Sequence, residues 1–333
     1  MNHSFPVLPN KPLIQTIMKT IGIIGGSGYI GSYVTKTFLE NGFSVRVSAT
    51  DIKQQKKYSH LKTLAGAENL NIYPLDTRDI TSLSAFVDGC HVVVHGGTPF
   101  QLDVKDPKKE LFEPTIKGTE NFLKVILEKP MVEKVVIIAS VASYNTGYPM
   151  PVAGRPVDYL YTESDAPHLN EEGHPYAQAK YHADQVVRKF IADHPNLDFD
   201  IVSVYPVGVM GPALSDRDDS TSMGLQYLFK HKIAPNPFVQ MLFDTDTEFA
   251  IVDVRDVAEG IYRAATIDGL HGKQYYLSNE SWKVSDITRM LNNEPVTDKP
   301  RFVYSGKKAE QDLGIAYKPA HVSFGDYAAS SGG

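Results

Sequence analysis

Tyr176 and Lys180, in the run Tyr176-Ala-Gln-Ala-Lys180, stand four residues apart. On a helix that spacing puts both side chains on one face. A free phenol titrates at about 10 and is a sluggish acid or base at neutral pH. A neighbouring ammonium favours the phenolate and brings its pKa toward the working range. A tyrosine so placed can protonate a carbonyl oxygen while hydride reaches the carbon. An ordinary amphipathic helix uses the same spacing. Ser140 follows a Val-Val-Ile-Ile run, and in an open parallel sheet ligands bind beyond the carboxyl ends of the strands. Its hydroxyl is therefore placed to hydrogen-bond a substrate carbonyl, with Ser143 as the substitute. Turn serines capping a strand end fit the local pattern equally.

These groups need elements to position them. Ile21–Gly31 reads Ile-Gly-Ile-Ile-Gly-Gly-Ser-Gly-Tyr-Ile-Gly: a short β-branched strand, a glycine turn, then apolar residues at helical steps. The unpaired N–H groups and partial positive charge of such a helix start hold the pyrophosphate of a dinucleotide. Gly25 lets the chain turn off the strand, Gly28 lets the backbone approach the phosphates, and Gly31 lets the helix pack close to the sheet. Gly25, Ser27, Gly28, Tyr29, Ile30 and Gly31 form the expected cradle, although a tight turn without a ligand has the same pattern. Asp76 ends the third strand and is placed to accept a hydrogen bond from the adenine amino group, with Thr77 beside it. The backbone of Gly96, Gly97 and Thr98 is expected to pass close to the cofactor. Taken singly, each also suits a turn.

The 333 residues are 42% hydrophobic, enough for one large domain or one and a half. The formal charge of -6, from 33 basic and 39 acidic residues, is well mixed. Without a basic stripe, nucleic acid is not an expected partner. No apolar run approaches the ~18 residues that span a bilayer. The single cysteine, Cys90, excludes an internal disulfide and fits a reducing, cytoplasmic setting. Beside Val92–Val94 it reads as a buried structural thiol. Residues 1–17, broken by Pro6, Pro9 and Pro12, lack the apolar core of a signal peptide. They are read as a poorly ordered extension, with Met18 as the functional start.

Strand and helix patterns alternate, which predicts an α/β fold, a doubly wound parallel sheet. The expected strands after the first are Phe43–Ser48, Asn71–Leu75, His91–His95, Lys134–Ala139 and Asp198–Tyr205. The expected helices are Thr81–Val87, Pro107–Glu128 and Pro175–Ile191. Lys53–Lys62 reads as a charged, exposed segment, and Tyr144–Gly173 as a long irregular loop of the kind that carries function. Beyond Pro206 the alternation breaks down, leaving helices Met223–His231, Val254–Ala265 and Val284–Leu291 and strands Glu248–Val252 and Lys273–Leu277. The chain therefore divides into an extension (1–17), a nucleotide-binding domain (18–205, with 248–278 returning to it) and a smaller C-terminal α/β substrate lobe (206–247 and 279–333). Tyr148, Tyr159, Tyr161, Phe238, Met241 and Phe243 supply either an apolar, aromatic pocket or core.

Glycine turn, strand-end Asp, strand-end Ser and Tyr-x-x-x-Lys occur in the order of one known family. From about Lys19 to Leu291 the chain resembles the extended short-chain dehydrogenases/reductases, in the branch of dihydroflavonol reductase, cinnamoyl-CoA reductase and yeast-type aldehyde/ketone reductases. Further marks are Asp88-Gly-Cys-His-Val-Val-Val-His with Gly-Thr-Pro-Phe100 after it, Asp106-Pro107 with Glu113-Pro-Thr-Ile-Lys-Gly-Thr-Glu-Asn121, and Tyr205-Pro206-Val207-Gly208-Val209-Met210-Gly211-Pro212. The resemblance implies a Rossmann-like sheet and NADP(H) or NAD(H) as cofactor. It makes Tyr176 the general acid/base, Lys180 the group that lowers its pKa and holds the nicotinamide ribose, and Ser140 the carbonyl ligand. It puts Tyr205, Pro206 and Val209 near the nicotinamide amide and Asp76 at the adenine. It implies a homodimer through the helices at Pro107–Glu128 and Pro175–Ile191.

Two positions depart from the family. Where relatives that use NADPH often carry an arginine stands Thr50, and where NAD users carry an acid stands Ala49. Ser48, Thr50 and Lys53 could together hold a phosphate; Asp51 opposes it if turned inward. The branch resemblance favours NADP(H). Ala139 replaces the first serine of the usual Thr-Ser-Ser. A reductase of an aldehyde or ketone is the leading expectation. A nucleotide-sugar epimerase or dehydratase with bound NAD and a non-catalytic dinucleotide sensor are the alternatives. The first is short of cations for a diphosphate, and the second usually loses the Tyr or Lys kept here.

Overall fold

Short β-branched runs form the strands and amphipathic runs the helices, alternating from Thr20 to Pro206 except between the strands Ser44–Ala49 and Leu70–Pro74, where only short 3-10 turns intervene. In order these are β1 (Thr20–Ile24), α1 (Tyr29–Glu40), β2 (Ser44–Ala49), β3 (Leu70–Pro74), α2 (Ile80–Val87), β4 (Val92–His95), α3 (Gly118–Ile126), β5 (Lys134–Ile138), α4 (Pro175–Asp193) and β6 (Asp200–Pro206). The chain continues through β7 (Gly208–Met210), α5 (Thr221–His231), α6 (Pro237–Thr245), β8 (Glu248–Asp253), α7 (Val254–Thr266), β9 (Gln274–Leu277), β10 (Ser281–Lys283), α8 (Val284–Leu291), α9 (Lys307–Leu313) and α10 (Ala320–Ser330). This computed structural model describes residues 18–96, 105–156, 158–217 and 219–330. The extension 1–17 and the expected cofactor residues Gly97 and Thr98 lie outside the described residues.

Seven strands form one parallel sheet in the order β3-β2-β1-β4-β5-β6-β9, the doubly wound arrangement the alternation predicts. The order reverses between β1 and β4, which opens a crevice at their carboxyl ends. Register sets Ile24 beside His95 and His95 beside Ile137, so the glycine turn, Gly96 and Ser140 share one edge. Helices on both faces explain why β4 is buried throughout and uniformly apolar up to His95. On one face Val34, Phe38 and Ile261 of α1 and α7 join Ile23 and Val47 in the core. On the other, Phe86, Phe122 and Val187 of α2, α3 and α4 join Val93 and Val135. Among the described residues no helix is long and apolar enough to cross a membrane.

A second sheet, β10-β8-β7, packs with α5, α6, α8 and α10 around Phe229, Leu242, Trp282 and Phe324. Strand β8 is parallel to β7 and antiparallel to β10. The division expected at 248 therefore shifts: β8 belongs to the smaller sheet, α7 packs on α1, and β9 joins the large sheet. The apolar run Phe249–Val252 reads alike in either sheet, so pattern alone does not separate them.

The helix expected over Pro107–Glu128 is divided. Lys108–Lys117 winds more widely, as a π-type segment around Pro114, and α3 begins at Gly118. Proline has no N–H to close a normal turn and its ring crowds the preceding carbonyl; the wider winding accommodates both. Lys53–Lys62 is also less exposed than its charge suggests. It folds into two short 3-10 turns that bury Tyr58 and Leu61.

The β1–α1 turn depends on glycine at two points. Gly25 adopts φ +84°, a left-handed conformation. A Cβ on Gly31 would lie 2.0 Å from the Gly25 carbonyl oxygen, so α1 can start this close to β1 only without a side chain there. Gly26, which the motif reading passed over, has a similar constraint, since its Cβ would fall 2.8 Å from Val47. The Gly25 N–H donates to Ser48 Oγ at 2.9 Å, which ties the turn to β2. We predict that Gly31→Ala lowers the melting temperature by several degrees and weakens dinucleotide binding. Gly224→Ala, in α5 with open space around it, should raise stability by about 0.5–1 kcal/mol. Thermal unfolding of both variants checks the pair.

Candidate active site

Helix α4 begins with His174 and Pro175. Proline suits a first helical position because its missing N–H has no helical partner there, and the His174 Nδ1 accepts the Tyr176 N–H at 3.2 Å. This start puts Tyr176 in the first turn and Lys180 one turn further along the same face. The end of β5 brings Ser140 to them. The three residues wall a cavity of about 160 Å³ that Ile30 and Gly96 also line, so it is continuous with the edge of the glycine crevice.

Ser140 and Tyr176 face the same cavity, and the Ser140 hydroxyl is close enough to act on the phenol. Burial pushes that phenol well above its ordinary pKa, and the Ser140 hydroxyl acts in the opposite direction. Lys180 is arranged differently from the expectation. Its Nζ donates to the Ile138 carbonyl oxygen at 2.9 Å, and the phenol is governed by burial and Ser140 rather than by the ammonium. A buried ammonium must find acceptors, and the strand-end carbonyl supplies one. Burial lowers the Lys180 pKa to about 8, while Asp184, one turn on, raises it. Ser143 does not substitute for Ser140. It is fully buried and its hydroxyl donates to the Ser140 carbonyl oxygen at 2.6 Å.

Pro206 and Val209 line the cavity, but the Tyr205 side chain turns away into the core. Its hydroxyl donates to Asp184 Oδ1 at 2.6 Å, and its ring packs edge-on against Tyr144 and Tyr276 at 4.9 and 6.1 Å. Asp184 also pairs with Arg188 at 2.6 Å. Tyr205 thus supports the carboxylate that faces Lys180. His95 is a further member that sequence reading missed. It is buried at the end of β4, its ring 4.6 Å from Phe122, and its Nε2 has no partner among the described residues. Burial first, then the Lys180 charge, push its pKa down to about 4. It stays neutral and adds no second cation beside Lys180. A histidine ending an otherwise apolar strand was the available signal.

On the adenosine side, Asp76 and Thr77 reach the expected edge of the sheet. Arg78 engages the Asp76 carboxylate at 3.0 and 2.8 Å and holds it below the usual carboxylate range. Thr50 is exposed. The Ser48 hydroxyl accepts the Gly25 N–H, and Lys53 is exposed. The Asp51 carboxylate accepts the Lys53 N–H and the Gln54 side chain. Cys90 is fully buried, and burial pushes its thiol up to about 11, so it is structural. Of the aromatic candidates, Tyr148 and Phe238 line the cavity, joined by Met210, Leu225 and Phe249. Tyr159 and Tyr161 pack together, and Tyr161 stacks on Tyr304 at 5.0 Å. Met241 and Phe243 pack against the smaller core.

A dinucleotide diphosphate fits the residues present. No side chain caps the start of α1, so its first amides remain for an anion, and the turn before it carries Ser27 as its one side chain. A parallel sheet with its crevice at this turn, and a Ser–Tyr–Lys group beyond it, define a nicotinamide-dinucleotide enzyme of the Rossmann type. The chain belongs to the NAD dependent epimerase/dehydratase family, whose model matches residues 21–277. It is 29% identical over 318 residues to cinnamoyl-CoA reductase CAD2 of Medicago truncatula, covering 90% of this chain and 92% of that protein. It is 32% identical over 203 residues to the bifunctional dihydroflavonol 4-reductase/flavanone 4-reductase of Malus domestica, covering 59% and 56%. The fold is that of yeast methylglyoxal/isovaleraldehyde reductase Gre2 complexed with NADPH, with TM-score 0.75, 20% identity and coverage of 93% and 97%.

The lowered Lys180 pKa has a definite sign. A folded value below the unfolded one means that charging costs stability. The penalty is complete below about pH 8 and fades as pH rises toward the unfolded value of about 10.4. Lys180→Met should therefore melt roughly 2–4 °C higher than the parent at pH 7, with the gap narrowing toward pH 10. Melting curves across that range check it.

Proposed function

We propose that the chain is an NAD(P)H-dependent reductase of an aldehyde or ketone, working reversibly as an alcohol dehydrogenase. The observation that carries this reading is that Ser140, Tyr176 and Lys180 wall one cavity continuous with the glycine crevice. The nicotinamide, when bound, supplies the hydride. The chain's own residues do the rest. Tyr176 donates its proton to the carbonyl oxygen, and Ser140 hydrogen-bonds that oxygen and steadies the phenolate left behind. Lys180 turns its ammonium from Ile138 toward the cofactor ribose and the phenol, where its charge offsets the burial that otherwise holds the phenol up. The glycine turn and the α1 amides hold the diphosphate, with Ser27, Tyr29 and Ile30 around it, and Asp76 and Thr77 border the adenine.

Tyr148, Phe238, Phe249 and Leu225 favour an uncharged, apolar carbonyl compound. The cinnamoyl-CoA, dihydroflavonol and methylglyoxal/isovaleraldehyde reductases that the chain resembles support the same class. An epimerase would need cations for a sugar diphosphate. Among the described residues lining the cavity, Lys180 and His174 are the only basic side chains. A homodimer through the outer faces of α3 and α4 completes the proposal, supported by the exposed Leu127 and Met131 just beyond α3.

Tyr176→Phe should lower turnover of any good carbonyl substrate by roughly 10²–10⁴-fold, the usual contribution of a positioned acid, while dinucleotide binding persists. Nicotinamide absorbance over a panel of aldehydes and ketones, with NADPH and NADH in parallel, measures it. Near-native turnover in Tyr176→Phe would remove the assigned role.

A further inference from the structure

The loop from Gly211 to Asp219 leaves the smaller sheet and crosses over the start of α1. Tyr29 donates its hydroxyl to the Gly211 carbonyl oxygen at 2.8 Å and Tyr33 to that of Pro212 at 3.1 Å. The buried Gln226 amide clamps Gly211 from the other side, accepting its N–H at 2.9 Å and donating to its oxygen at 3.1 Å. At the far end of the loop Arg217 Nη1 donates to the Ser27 carbonyl oxygen at 3.0 Å. A guanidinium of the smaller lobe is therefore anchored on the glycine turn of the larger one. Its other face, Nε and Nη2, forks onto Asp219 at 2.8 and 2.6 Å.

Arg217 borders a groove whose opposite wall holds Lys56, Lys57 and His60. Behind that wall the Tyr58 hydroxyl donates to the Asp51 carbonyl oxygen at 3.2 Å, which ties the segment to the end of β2. In a dinucleotide fold the adenosine ribose hydroxyls lie at this strand end. The His60 Nε2 is 2.8 Å from Ser32 Oγ, and Ser32 spends its own proton on the Gly28 carbonyl oxygen at 2.7 Å. Nε2 is thus the donor, and the buried Nδ1 has no partner among the described residues. His60 is therefore engaged with α1 rather than open to an anion in the groove.

We propose that Arg217, with Lys57, binds a phosphate monoester on the adenosine 2′-oxygen, so that a side chain from the substrate lobe makes the enzyme prefer NADP(H). The inference rests on the reductase reading. A guanidinium fork matches carboxylate and phosphate alike. Asp219, whose carboxylate also feels Lys57, holds the fork until a doubly charged phosphate displaces it. Thr50 at the strand end leaves this role to Arg217.

Calorimetric titration of the full chain with 2′,5′-ADP and with 5′-ADP, at low salt, tests the proposal. The parent should bind 2′,5′-ADP at least tenfold more tightly. Arg217→Gln should cut that ratio roughly 10- to 100-fold, the worth of a charge-assisted contact. Asp219→Asn, an exposed change that keeps the test available should the arginine variant fail to fold, should tighten 2′,5′-ADP several-fold without a matching gain for 5′-ADP. A parent ratio near one, or a ratio that neither variant moves, overturns the inference alone. Failure to bind either NADPH or NADH overturns the reductase reading and the inference with it.

Discussion

The contact on which the site depends is the Lys180 ammonium resting on the Ile138 carbonyl oxygen. It joins the middle of α4 to the end of β5 and fixes the height of Tyr176 above Ser140. Beside Lys180 the same side of α4 carries Ala179 and Ala183, both buried. Burying an ammonium with one carbonyl as acceptor is unfavourable. The lowered Lys180 pKa is the record of that cost, and the supports around it follow from the same need. Asp184 offers a countercharge, Tyr205 and Arg188 hold Asp184 in place, and His95 stays neutral nearby. A site that violates the rule against buried charge while its surroundings compensate is the pattern expected where function overrides stability.

Much of this was readable in the residues because it is encoded at short range. The glycine turn, the four-residue step from Tyr176 to Lys180 and the serine after an apolar strand are local patterns, and the fold brings all three to one edge. The sheet order follows from alternation and right-handed crossovers. What pattern did not show is set by contacts distant in sequence. Nothing near Lys180 marks Ile138 as its partner, and nothing in Tyr205 says that it faces Asp184 rather than the cavity. Gly26 is required by Val47, more than twenty positions away, and the assignment of β8 to the smaller sheet depends on β7 and β10. The wide turn around Pro114 had a local cause in proline, but a helical apolar face on either side masked it.

The two lobes are not independent units joined at an edge. Tyr29 and Tyr33, on the helix that begins the nucleotide site, end their hydrogen bonds on Gly211 and Pro212, and those residues follow directly on the strand whose Val209 and Met210 wall the carbonyl cavity. Any shift of the smaller lobe must therefore move the loop that crosses the diphosphate turn. The groups proposed to handle the proton, by contrast, all lie on α4 or just beyond the end of β5 in the large domain. Apolar walls contributed by α5, α6 and β8 can change in shape without touching Ser140, Tyr176 or Lys180. That separation lets substrate choice vary while the chemistry is conserved in place, since function resides in the site and its loops rather than in the fold that carries them.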